Sequence, residues 1–433
     1  MVKRLMLLIF VGMAVNGLCQ PFFRLQDAIN TALKNNFDIR VAQNNIDIAH
    51  INNYKGIVGA LPTVAGSLAD NEQVQSINQT YTDASKDVKR DNVGSNTLTA
   101  GITGSILLFN GMRVHATEKR LALLEQQGRQ QLNLQIQTLI ASITTQYYTI
   151  VMQQGLLKTI LKSIDASVEK LSILQSRKQV GLANDADIFQ AQSDLNDLKQ
   201  QQKSQELAIS QAKIILLTLI TIPTDTNITI RDTIIVDTTI VLDSIKNRLA
   251  NNPQIVAAAQ QVAINRQIEK ETAALRYPTV KANAGYLFSN NKSAAGFSLL
   301  NQSYGPFVGV SLGIPIYNGS IYKRQQQVAA INTENAALQK NSLLFNAYAN
   351  ATSYYETYTV SLQQLKTGKE NYALSGKLLD LVLQKFRLGQ STIIDLKLAQ
   401  QSFENAGYQL VSLSYNAKAA EIALKQLASN LKF

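Results

Sequence analysis

The sequence is poor in the residues that carry most enzyme chemistry. One cysteine, Cys19, and two histidines, His50 and His115, occur in 433 residues. A lone thiol excludes an intrachain disulfide, and thiolate chemistry goes too if Cys19 leaves with a leader. No HExxH, CxxC or GxSxG motif and no phosphate loop is present. Both histidines fall inside helical patterns and read as helix-surface residues rather than ligands. No catalytic residue, metal site or cofactor is expected, and the chain does not read as an enzyme. After the N-terminus there is no run of about 18 apolar residues, so no transmembrane helix is expected. Charge is sparse too, at 16%, and the net +11 comes without a block of like charges or an aromatic-plus-basic motif. That pattern argues against a nucleic-acid partner.

The N-terminus has a positive start at Lys3 and Arg4, an apolar run from Leu5 to Val15, and then Asn16-Gly17-Leu18-Cys19. This describes a secretory signal peptide over 1–19, with Gln20 first in the mature chain. A lipidated Cys19 is the rival reading, and Leu18 is a poor residue to precede it.

The rest of the chain is one unit written twice. Asn35-Asn36 recurs as Asn251-Asn252 and Pro62-Thr63-Val64 as Pro278-Thr279-Val280, both at an offset of 216. Asn110-Gly111 recurs as Asn318-Gly319, Gly181 as Gly389, Asp187 as Asp395, and Ala191-Gln192 as Ala399-Gln400, all at 208. The change of offset assigns the polar stretch Asp70–Asn92 to an exposed loop, where length differences collect. The first repeat, 20–220, is expected to hold a helix over about 25–59, strands at about 60–69 and 97–109, a long helix 112–180 and a helix 184–220. The second, 242–433, matches it with a helix over about 242–276, strands at about 278–288 and 305–316, a long helix 320–388 and a helix 392–431. Residues 221–241, rich in Ile, Thr and Val, read as extended segments that link the halves at an equatorial level.

The strands alternate. Leu98, Ala100, Ile102, Ile106 and Leu108 point one way in the first repeat; Val280, Ala282, Ala284, Tyr286 and Phe288, then Val308, Val310, Leu312, Ile314 and Ile316, do so in the second. Period-2 runs with one oily side suit a membrane barrel wall. Lys281 and Asn283, on the other side, are assigned to the barrel lumen. Phe109, Tyr277, Tyr286, Phe288, Tyr304 and Tyr317 are assigned to an interfacial aromatic girdle near the strand ends. Alternation alone fits the buried face of a soluble sandwich equally well. The missing second layer decides against it. Four strands cannot close a barrel, and open edges are forbidden in lipid, so several copies must contribute. Three copies give twelve strands with an open lumen.

No proline interrupts Gly111–Gly181 or Gly319–Gly389, and each stretch is a rod of roughly 100 Å. Leu121, Leu124, Gly128, Leu132, Ile136, Leu139 and Ile143 form one buried stripe. Each rod ends in a turn, Val180-Gly181-Leu182 and Leu388-Gly389-Gln390. Asn184 and Thr392 then suit N-caps, with Asp187 and Asp395 at the capping-box position.

Six motifs in register across two copies resemble the TolC-type outer-membrane efflux family. They include Leu-Phe-Asn-Gly at 108–111, Pro-Ile-Tyr-Asn-Gly at 315–319 and the two Gly-x5-Asp tips. The resemblance implies an α+β membrane protein: a long α-helical periplasmic barrel plus a transmembrane β-barrel, four strands per protomer, twelve in a homotrimer. It implies residence in the outer membrane, in contact with its lipid, as the passive exit duct of a tripartite efflux or type I secretion system. Its partners would be a periplasmic adaptor (a membrane fusion protein) and, through it, an inner-membrane RND or ABC pump. By resemblance, Val180, Gly181, Leu182, Leu388, Gly389 and Gln390 contact the adaptor. Asp395 matches the first of two acidic residues that constrict the entrance. The second falls at Leu398, and Ser391 replaces a gating arginine. Closure is therefore expected through Asp395 alone or through packing of Phe386 with Leu398, with Asp187 placed beside them at the periplasmic entrance. The alternative is a periplasmic helical-hairpin adaptor or structural protein.

Overall fold

A computed structural model describes residues 23–294 and 298–431. The expected leader over 1–19, with Cys19, lies outside them. The chain separates into two compact units. One holds the described residues up to Gln43, with Gln131–Ile255 and the stretch from Ser342 onward; the other holds Asn44–Gln130 and Val256–Asn341. The elements are α1 (Leu25–Asn35), α2 (Phe37–Asn52), β1 (Thr63–Gln79), β2 (Val88–Phe109), α3 (Arg113–Gln179), α4 (Asp185–Leu219), α5 (Leu242–Arg248), α6 (Pro253–Ala274), β3 (Thr279–Ser293), β4 (Leu300–Gly313), α7 (Ile321–Arg387) and α8 (Ile393–Leu427), with short 3-10 turns at Ala84–Lys86 and Leu249–Asn251. Both α3 and α7 have 67 residues, about 100 Å of unbroken helix.

The unit with the sheet contains all four strands, antiparallel and in sequence order β1-β2-β3-β4. The strands overrun their expected limits. The stretch Asp70–Asn92, expected as a loop, is mostly strand: Asn71 pairs with Thr97, Gln73 with Ser95 and Gln79 with Val88. Polar side chains with no apolar face to present still leave the backbone free to complete a ladder, and ladder bonds, not alternation, define a strand. At its helical end the chain turns from β2 into α3 through Gly111 and Met112, and from β4 toward α7 through Gly319 and Ser320. All four have left-handed φ, between 63° and 68°. A Cβ on Gly111 would lie 2.9 Å from the Ala274 carbonyl, so the Asn-Gly pair reflects both φ and space. Beside the turn, Arg120 bonds Glu271 at 2.7 Å and Gln127 bonds Gln261 at 2.9 Å, tying α3 to α6.

The other unit holds three apolar clusters. Its first helix, expected to run unbroken over 25–59, breaks at Asn36 and stops at Asn52; its counterpart over 242–276 breaks at Asn252. Each asparagine is buried and bonded on both sides. Asn36 Oδ1 accepts from the Asp38 and Ile39 amides at 2.9 and 3.2 Å, while its Nδ2 donates to the Leu219 carbonyl at 3.3 Å. Asn252 Oδ1 accepts from Gln254 N at 2.9 Å, and Nδ2 donates to the Leu427 carbonyl at 2.9 Å. Each side chain thus starts one helix and closes the carbonyl end of another, α4 or α8. This explains the Asn-Asn repeat.

The segment 221–241 forms no strand ladder among the described residues. It is an extended strap whose backbone bonds go elsewhere. Gln154 donates to Ile230 O at 3.1 Å, Phe23 N to Thr229 O at 3.0 Å, and Lys418 Nζ to Ile235 O at 2.9 Å. The buried Glu421 accepts from Asp237 N at 2.9 Å and from Lys418 and Lys425. Ile228 and Ile230 enter one cluster, and Val236 and Ile240 pack on another. The strap therefore packs on clusters from both repeats.

Close packing sets a test. A Cβ on Gly407 of α8 would lie 2.6 Å from Thr159 Cγ2 of α3. Gly407→Leu is expected to destabilise this unit by about 1–2 kcal/mol, overpacking outweighing the gain in helix propensity. Chemical denaturation followed by circular dichroism checks it; an unchanged midpoint would show the contact to be loose.

Candidate functional site

The sheet presents two unlike faces. Register places Val64, Leu68, Ile102, Ala100, Ala282, Tyr286, Val308 and Val310 on one face. Apart from the two alanines these are large side chains that lie open: Leu68 is 75% exposed and Val308 85%. Such a patch far exceeds what a soluble monomer leaves uncovered. Along β3 the apolar alternation runs from Val280 to Phe288, which at about 3.4 Å per residue and a tilt of about 40° is a band roughly 20 Å tall. Phe288 and Tyr304 face each other at one limit of the band. Phe109, Tyr277 and Tyr317 are exposed at the helical end. Tyr286, expected near a strand end, sits mid-strand opposite Pro306. The aromatic level follows the end of the oily band, which the strands overrun. The opposite face is mostly small and polar, with Leu107, Leu287 and Phe307 as its large apolar members. It carries Thr103, Ser105, Lys281 and Asn283, and Asn283 Nδ2 donates to Ser311 Oγ at 3.3 Å. Both outer strands, β1 and β4, have one unpaired edge.

In the helical unit the two tips are built alike. Gly181 and Gly389 both have φ +76°. Leu182 N bonds Arg177 O at 2.8 Å and Gln390 N bonds Lys385 O at 2.8 Å, closing α3 and α7 with the left-handed glycine such an end requires. Val180, Leu182 and Leu388 are at least 70% exposed. Asn184 Oδ1 accepts from Asp187 N at 2.8 Å. At the second tip Thr392 Oγ1 accepts from Asp395 N at 3.1 Å, and the Asp395 carboxylate accepts back from Thr392 N at 2.8 Å. That reciprocal bonding, first from the backbone amide and then from the hydroxyl, holds the Asp395 carboxyl below its ordinary value of 3.8. Phe386 and Leu398 are not brought together. Phe386 is 1% exposed, packed with Leu379, Leu396 and Phe403 under the Arg177 guanidinium, whereas Leu398 is 59% exposed. The Phe386 ring fills space between helices of one protomer and does not meet Leu398 within it.

Residues 28–221 and 244–430 match the model of the outer membrane efflux protein family. The chain belongs to this family. The match falls in two blocks, one on each repeat. Among curated proteins, the outer membrane protein TolC of Escherichia coli is 23% identical over 175 residues, 40% of this chain and 36% of that one. An uncharacterized protein of Haemophilus influenzae is 23% identical over 290 residues, 66% of this chain and 63% of its own length. The chain thus spans less than two thirds of either relative. Among solved structures, the outer membrane protein VceC of Vibrio cholerae superposes with a TM-score of 0.76 at 17% identity, covering 94% of this chain and 96% of that one. That likeness shows a shared fold: helical barrel elements with an appended strand domain.

For an outer membrane efflux protein the tips carry an unexpected tie. Asp194 of α4 accepts from Lys170 Nζ of α3 at 2.9 Å, from Lys397 Nζ of α8 at 3.0 Å and from Gln190 at 2.9 Å. Lys170 is 1% exposed. Arg387 of α7 reaches Glu169, and Arg177 reaches the Phe386 carbonyl. No spacing rule finds this set, because its members lie on three helices and up to 227 positions apart. Burial alone would raise the Asp194 carboxyl; the two ammonium groups outweigh it and hold it below its ordinary value of 3.8.

Two consequences can be measured. Because the folded-state value is depressed, the stabilisation is fully present above the ordinary carboxylate range and is lost as pH falls below about 4, through the folded-state value. Asp194→Ala leaves Lys170 buried without its carboxylate and is expected to cost about 3 kcal/mol at neutral pH. Its stability is expected to converge on that of the wild type as pH drops. Equal pH profiles for both proteins would remove Asp194 from the tie.

Proposed function

We propose that this protein is the outer-membrane duct of an export machine, working as a homotrimer without chemistry of its own. The open four-stranded sheet with an exposed apolar face carries the reading. In lipid every backbone group needs a protein partner, so β1 of one copy and β4 of the next must pair. Three copies supply twelve strands, enough to enclose a water-filled lumen. The mostly polar face then lines the lumen, with Lys281 and Asn283 on it, and the aromatics Phe109, Tyr277, Phe288, Tyr304 and Tyr317 sit at the membrane surfaces.

The tips are the docking points for a periplasmic adaptor that links the duct to an inner-membrane pump of the RND or ABC class. Their exposed Val180, Leu182 and Leu388, fixed on rigid left-handed turns with Gly181, Gly389 and Gln390, support an apolar, shape-defined contact. Asp395, Asp187 and Leu398 line the entrance, and Asp395 doubles as a helix cap. Cargo is chosen upstream, by the pump. A signal peptide over 1–19 delivers the chain. The alternative, a periplasmic hairpin adaptor or spacer, accounts for the helices but leaves the apolar sheet face in water.

Light scattering on the detergent-extracted particle, corrected for bound detergent, is expected to give three chains of 47.6 kDa less the leader. A soluble monomer or dimer would transfer the case to the hairpin reading. The double variant Leu182→Glu, Leu388→Glu is expected to retain the trimer while losing export. Retained export would remove the tips from the adaptor contact.

A further inference from the structure

Charge on the sheet is distributed unevenly. Among the described residues of the four-stranded region, the polar face carries a single ionisable side chain, Lys281. Its cross-strand neighbours are Leu107 in β2 and Ser311 in β4. Asn283, two residues along the same face, has its amide engaged with Ser311. The carboxylates of Asp70 and Glu72 lie on the opposite face, in register with Leu98 and Asn96 and beyond the aromatic level. Lys292 shares that face, paired with Asn96. Lys89, Arg90 and Asp91 belong to the two-stranded extension past β3. Among the described residues no carboxylate is placed to neutralise Lys281.

Closing the barrel does not supply one. The next copy would add its β1 beside β4, and the polar face of β1 offers Thr63, Ala65 and Ser67 at that end. Lys281 also lies near the start of β3, three residues after Pro278, so the ring it forms sits where cargo passes from helices into strands.

We propose that Lys281 makes the barrel lumen selective for anions. This rests on the trimeric-duct reading. Three ammonium groups related by the trimer axis would project into one aqueous cross-section of a barrel about 24 Å across, from a strand spacing of about 4.8 Å and a tilt of about 40°. Rings of lysine or arginine are the usual device by which pores favour anions. Screening over about 8 Å at physiological ionic strength leaves part of such a ring unscreened, and lower salt leaves more. The chemical class favoured is small or extended solutes carrying carboxylate, phosphate or sulfonate groups. Neutral and cationic cargo would pass less readily at the same driving force.

Reversal potentials of the purified full-length protein in planar bilayers, under a KCl gradient, test this. The wild type is expected to favour chloride over potassium, relative to Lys281→Gln, by at least about twofold. Lys281→Glu should go further toward potassium, Lys281→Arg should match the wild type, and the differences should shrink in molar salt. Pores of normal trimer mass with one permeability ratio across all four proteins would overturn the proposal and leave the duct reading standing. Wild-type protein that forms no pore at all would overturn both. A change in trimer yield without a change in ratio would reduce Lys281 to a folding role and overturn the selectivity.

Discussion

Backbone amides and carbonyls in hydrocarbon have no water to bond, and this constraint governs the sheet and through it the whole protein. A soluble sheet with one oily face covers it with helices or a second sheet. Here the oily face is open and both outer edges are unpaired. The proposed closure with copies of itself inside a bilayer would satisfy edges and face together. The strands overrun the oily band at one end, where polar residues line both faces and the ladder continues into water. At the other end each repeat leaves the sheet through an Asn-Gly turn with two successive left-handed residues, a hinge that lets a strand feed directly into a helix of 67 residues.

Duplication lets one structural solution serve twice. Asn36 and Asn252 each start a helix and close the end of another with a single amide group. Gly181 and Gly389 end the long helices at the same φ. The copies differ where one chain needs asymmetry. The first hairpin is longer, the strap 221–241 occurs once, and only the second tip completes a capping box. The strap joins the two repeats within one unit. Its isoleucines and valines pack on one cluster built mainly from the first repeat and on another built from the second, and side chains from α3 and α8 bond its backbone.

Electrostatics at the tips is internal to the protomer. Lys170, Asp194 and Lys397 bind three helices together, and Arg177 and Arg387 reach from α3 to α7 and back. Outward, the tips present the apolar Val180, Leu182 and Leu388 beside the exposed Lys178–Asp185 pair. Rigidity supplied from within leaves little ordering to be done on binding, which favours the proposed docking at the tips.

Periodicity and repetition determined a good deal from the sequence alone. An absence of proline over 70 residues, a three-four apolar stripe, alternation of period 2 and paired Gly turns are local properties of a chain, and local rules read them: long helices, four antiparallel strands, one oily face, two capped tips. Element limits inside polar stretches were not legible, because a ladder is made by backbone bonds that polar side chains do not announce. Helix breaks at Asn36 and Asn252 showed in the sequence only as a repeat without a reason. The burial of Phe386, the Asp194 tie and the isolation of Lys281 on its face depend on which residues distant in sequence come within a few ångströms. Only the tertiary structure decides that, because burial and charge pairing are properties of neighbours in space.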